Sequence, residues 1–81
     1  MGHDYTISRI FAHPTPSTMP WRHIESLFRH LGEVEEGEGS RIRVTINGIR
    51  GNFHRPHPEK VAGVKLIRDV RKLLETAGVQ P

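Results

Sequence analysis

The chain has 81 residues, which makes one small domain with a thin core. It has no Cys, so disulfides, thiolate metal sites, Cys nucleophiles and iron–sulfur clusters are excluded together, and a reducing compartment suits it. The net charge is only +3, but residues 1–40 carry three Arg against six acidic residues, whereas residues 41–81 carry nine Arg or Lys against three. A basic half on a small domain points to a polyanionic partner. The other reading of that charge is a solvated surface. No run of apolar residues is long enough to span a membrane, and no basic-then-apolar leader opens the sequence, so the expected location is cytoplasmic. The opening Met1-Gly2-His3-Asp4-Tyr5-Thr6 fits the loose myristoylation pattern, which chance meets often.

In chain order, Ile7, Ile10 and Phe11 have helical spacing and predict one short helical turn within residues 1–12. Pro14 and Pro16 make the next stretch an extended connection. A first clear helix follows, capped by Ser17 or Thr18, with Pro20 in its first turn and Trp21, Ile24, Phe28 and Leu31 as its apolar stripe. Gly32 is expected to end it in the left-handed conformation. The segment from Glu33 to Glu38 reads as a short, weak strand whose acidity protects a sheet edge; it lacks the spacing of a calcium loop. Arg41–Ile46 and Ile49–His54 both alternate apolar with polar residues, and Asn47-Gly48 between them is a strong two-residue hairpin signal. Pro56 and Pro58 end that strand. A last helix runs from Val61 or Val64 to Ala77, with Gly78 as its stop and Val79 folding back.

A two-residue turn sets the register, and the register sets the faces. Ile46 then opposes Ile49, Val44 opposes Gly51 and Ile42 opposes Phe53 on an apolar face. On the other face Thr45 opposes Arg50, Arg43 opposes Asn52 and Arg41 opposes His54. The expected fold class is α+β, in the order α-β-β-β-α, with a three-stranded antiparallel sheet and both helices on its apolar face. Residues 1–16 form an extension and residues 17–81 the domain proper.

Three local motifs in this order resemble the HicA (YcfA-like) family of toxins from type II toxin–antitoxin pairs, over roughly Trp21 to Val79. They are Gly39-Ser40 entering the second strand, Phe53-His54-Arg55-Pro56-His57-Pro58 closing the third, and the final Leu73-Leu74-Glu75-Thr76-Ala77-Gly78-Val79. The resemblance implies a dsRBD-like fold, metal-independent cleavage of mRNA, and neutralisation by a HicB-like antitoxin protein. Gly39, Ser40 and His57 match family positions. Arg41 stands where the family has the essential histidine of its Gly-Ser-His motif, and Arg, unlike His, does not exchange protons near neutrality.

Metal-free RNA cleavage needs a base for the 2′-hydroxyl, an acid for the leaving oxygen and cations for the phosphate. His54, opposite Arg41, is the candidate replacement base. His57 is a candidate acid, and Arg41, Arg43 and Arg50 are candidate phosphate clamps. The full expected set is His54, His57 and Arg41 for catalysis, and Ser40, Arg41, Arg43, Arg50, Arg55, Lys60 and Lys65 for RNA contact. His54 and His57 lack a third ligand nearby, so no metal is expected, and neither is a small-molecule cofactor or a membrane contact. His3, His13, His23 and His30 read as surface residues, with His13 a cap before Pro14 as its alternative. Two other functions stay open: a non-catalytic module on the same fold that binds RNA or an antitoxin, and a pure protein-interaction domain.

Overall fold

The computed structural model describes residues 2–81. The chain is α+β, with three helices and two antiparallel sheets. The elements are α1 (Gly2–Ile10), β1 (Thr18–Pro20), α2 (Trp21–Leu31), β2 (Glu33–Glu36), β3 (Arg41–Ile46), β4 (Ile49–His54), β5 (Val61–Gly63) and α3 (Val64–Thr76). The larger sheet has the strand order β2-β3-β4; the smaller one joins β1 to β5.

The hairpin is built from its turn outward. Asn47 and Gly48 both take positive φ, 51° and 79°, the backbone that matches the twist of the flanking strands. Ile46 therefore pairs with Ile49, Val44 with Gly51, Ile42 with Phe53, and Arg41 with His54, the register expected from the sequence. Ile42, Val44, Ile46 and Phe53 are buried, and the rings of Phe53 and Phe28 stack at 5.3 Å. α2 supplies Trp21, Ile24, Leu27 and Phe28 to this core and α3 supplies Ile67, Val70, Leu73 and Leu74, so both helices lie on the apolar side of the sheet. The amide of Asn47 donates to the Ala77 carbonyl at 2.8 Å, tying the hairpin turn to the end of α3. That helix closes with Val79 N–H on Leu74 O and Gly78 N–H on Glu75 O, the paired bonds of a Schellman stop.

Four features depart from the sequence reading. The first helix begins at Trp21 without a side-chain cap, because Thr18–Pro20 are extended and pair with Val61–Gly63. That pairing buries Met19 and Ala62 and fixes the start of the last helix at Val64. β2 stops at Glu36, so Gly37 and Glu38 belong to the turn. The predicted turn near the N-terminus is a nine-residue helix packed on α2 and α3, with Ile10 wholly buried. It is held there by Arg71 of α3, whose guanidinium donates to the carbonyls of Ile10 and Ala12 and to the Thr15 hydroxyl. Gly32, finally, is not left-handed. Its φ of −165° is extended, and glycine is needed because a Cβ would collide with the Thr45 carbonyl oxygen where the chain leaves α2 and enters the β2–β3 ladder.

Gly32→Ala should therefore cost about 3 kcal/mol, the upper end of ordinary overpacking, because the obstacle is backbone. Urea unfolding followed by circular dichroism measures it. A loss well below 1 kcal/mol, the scale of a mere propensity change, would contradict the close approach.

Candidate nucleic-acid interface

Strand parity puts Arg41, Arg43, Thr45, Arg50, Asn52 and His54 on the face of the sheet away from the helices, and all but Thr45 are exposed. Ile46 and Ile49 flank a two-residue turn and form a hydrogen-bonded pair, so pairs alternate down the ladder and Arg41–His54 is non-hydrogen-bonded. In such a pair the two Cα atoms approach to about 4.5 Å and the side chains stand close together. Pairing continues one step further, with Arg55 N–H on Ser40 O at 2.8 Å, which brings Ser40 to the end of the same ladder. The Ser40 hydroxyl lies 3.5 Å from His54 Nδ1. An imidazole and a hydroxyl thus meet at one corner of the sheet, and the Arg41 backbone stands directly across from the imidazole's strand position. The corner brings together an imidazole, a hydroxyl within 3.5 Å of it, and, on the facing strand, a residue that carries a permanent cation.

The remaining candidates are distributed differently. Arg43 faces Glu35 of the edge strand at 3.8 Å, between exposed side chains. Arg50 sits four residues along β4 from His54, about 13 Å away at strand rise, so it extends the basic track but cannot clamp the same phosphate. Lys65, in the first turn of α3, pairs with Asp69 at 3.4 Å and lines a shallow groove with His54. His57 and Lys60 lie in a different place, a cleft of about 800 Å³ between α2 and the β4–β5 connection. Ser40 lines that cleft as well, and so stands between it and the His54 corner.

The Arg55 guanidinium, expected at the RNA surface, is engaged by two carboxylates. The residue after His54 must point to the helix side, and there its guanidinium is filled. Nε and one terminal nitrogen donate to the two Glu25 oxygens, both at 2.8 Å, and the terminal nitrogens donate to the two Glu36 oxygens at 2.7 and 2.8 Å. Glu25 also accepts from Trp21 Nε1 and from Arg29. These charge-assisted bonds knit α2, the edge strand β2 and the end of β4 into one unit. Arg55 is the main cause of the low pKa of Glu25, about 2 against an ordinary 4.5; Arg29 and the Trp21 indole act in the same direction, against the effect of burial. Glu36 is lowered as well, chiefly by Arg55, and Arg55 itself is raised, first by Glu25 and then by Glu36. Neither Glu25 nor Glu36 was expected to matter. The available signal was the i, i+4 series Trp21, Glu25, Arg29 together with the inward parity of Glu36 and Arg55.

Among the described residues no group of three or more His, Asp or Glu gathers as a metal site, and no helix is long and apolar enough to cross a membrane. Comparison with family models, curated proteins and solved structures finds no match for the chain.

The Glu25 carboxyl binds its proton less tightly in the folded chain than in the unfolded one. The stability it contributes is therefore complete above about pH 4.5 and is lost as pH falls towards 2. Glu25→Gln should be less stable than the parent at neutral pH and should lose less further stability across that window. Urea midpoints at a series of pH values test this, and equal losses in parent and variant would show that the clamp does not act through this carboxylate.

Proposed function

We propose that the chain is an RNA-binding protein of the HicA-like toxin type on a dsRBD-like scaffold, and that it cleaves mRNA without a metal at the corner formed by Ser40, Arg41 and His54. The observation that carries this reading is the direct opposition of Arg41 and His54 with the Ser40 hydroxyl 3.5 Å from the imidazole, on an exposed sheet face. In this reading His54 removes the 2′-hydroxyl proton, Ser40 orients the ring through Nδ1, and Arg41 stabilises the charge that develops on the phosphate. Arg43 and Arg50 carry the flanking phosphates along the face. His57, on the far side of Ser40, has no counterpart at the corner, and a water protonates the leaving oxygen. An antitoxin of the HicB type would silence the site by covering this face.

One feature favours a second reading. Arg41 occupies the place of the titrating histidine in the motif, and a domain that reads the shape of an A-form duplex needs cations across phosphates rather than a base. On that reading the chain binds RNA or an antitoxin and leaves the RNA intact.

Both readings predict that RNA affinity falls steeply with salt, because phosphate contacts release condensed counterions. They separate at His54→Ala. On the first, cleavage of labelled RNA in the presence of a chelator is abolished and growth arrest on induced expression disappears, while affinity changes by less than about threefold, since Arg41, Arg43 and Arg50 still carry the phosphate contacts. An inactive parent chain that binds RNA gives the second reading. Absence of RNA binding at low salt refutes the first and the RNA-binding form of the second.

A further inference from the structure

The cleft of about 800 Å³ on the helix side of Ser40 is not used by anything proposed for the sheet corner. Its volume lies within the roughly 300–1,000 Å³ of sites for small molecules. Trp21 and Pro56 give it apolar wall, Ser26 and Ser40 give it hydroxyls, and Arg22 and Lys60 give it cations. Its lining holds Arg22, Arg29, Arg55 and Lys60; Arg29 and Arg55 are paired with Glu25 and Glu36, which leaves Arg22 and Lys60 as its uncompensated cations. The Glu25 carboxylate is spent: Trp21 Nε1, Arg29 and Arg55 fill both of its oxygens. The cleft therefore presents unbalanced positive charge beside an apolar surface. Lys60 is also fixed in place. Its φ is +62°, uncommon for a residue with a side chain, and its carbonyl accepts the Trp21 N–H at 3.0 Å.

We propose that this cleft binds a nucleoside phosphate, with the base against Trp21 and Pro56 and the phosphate between Arg22, Lys60 and the Ser40 hydroxyl. An apolar ligand would leave the cations without a partner, and an acidic peptide would leave the Trp21–Pro56 wall unused; a nucleotide satisfies both. Two sources share this chemistry: a free mononucleotide, or one unpaired nucleotide of an RNA strand on the sheet face. For the second source the inference rests on the RNA reading above, since Ser40 borders both places and a strand crossing it can turn one base inward.

Trp21 is the chain's only tryptophan; it is 6% exposed and packed edge-on to Phe28, so its fluorescence reports on the cleft wall and the core behind it, and the circular dichroism spectrum separates the two. The experiment titrates the full chain with adenosine monophosphate, adenosine, inorganic phosphate, a polyglutamate peptide and a short single-stranded RNA, and follows RNA binding separately by anisotropy of a terminal dye. The expected result is saturable quenching by adenosine monophosphate, by the RNA or by both. Quenching by RNA alone assigns the site to a strand, and by the mononucleotide alone to a free ligand. Arg22→Glu, at an exposed position outside the sheet face, should weaken that quenching on the order of tenfold, the loss expected for one charge-assisted hydrogen bond, with the circular dichroism spectrum unchanged. RNA binding by anisotropy with no change at Trp21 and no effect of Arg22→Glu overturns the cleft and leaves the sheet-face reading intact. Quenching by the mononucleotide without any RNA binding upholds the cleft and removes the RNA reading. Equal competition by polyglutamate, or no response to any nucleotide, overturns the nucleotide site.

Discussion

The two-residue turn at Asn47-Gly48 is the constraint on which the rest depends. With positive φ at both positions, β3 and β4 have one register available, and that register decides the side of every residue from Arg41 to Arg55. A slip by one residue would place three arginines and a histidine under the helices and turn Ile42, Val44, Ile46 and Phe53 to water. The burial of those four side chains is thus the energy that enforces the turn, and the turn is the geometry that lets them be buried together.

The same parity divides the molecule's cations into two kinds. Those at Arg41, Arg43 and Arg50 stay on the solvated face, where the nearest acid is Glu35 across the edge strand. Arg55, one step past His54, crosses to the other side and is consumed by Glu25 and Glu36. A basic sequence segment therefore carries less available charge than its composition suggests. What remains available lies in two tracts, one on the sheet and one at the mouth of the cleft, joined at Ser40.

Legibility followed periodicity. The hairpin, the apolar face and the opposition of Arg41 and His54 could be read because alternation and a known turn type act over neighbouring residues. The β1–β5 pair could not, since Thr18-Met19-Pro20 and Val61-Ala62-Gly63 are three residues each and too short to alternate detectably. α1 shows only Ile7, Ile10 and Phe11 as apolar signal, and Arg71 holds it mainly through carbonyl oxygens, which leave no trace in a sequence. The Arg55 clamp is within reach of parity reasoning, since Glu36 and Arg55 both fall on the inward side, but charge alone does not distinguish it from its outward neighbours. The cleft assembles α2, the β2–β3 turn and the β4–β5 connection, and no local pattern marks such a meeting of three segments.

The bonds from Arg71 to Ile10, Ala12 and Thr15 join residues 61, 59 and 56 positions apart. During synthesis the end of α1 is made 61 residues ahead of its anchor. A nine-residue helix is too short to persist alone in water, so α1 has no stable structure of its own while the intervening chain is made. The hairpin, whose strands are two residues apart, can close long before then. The place of α1 in the fold therefore depends on a helix made after the whole sheet, whereas the hairpin depends only on its own neighbours.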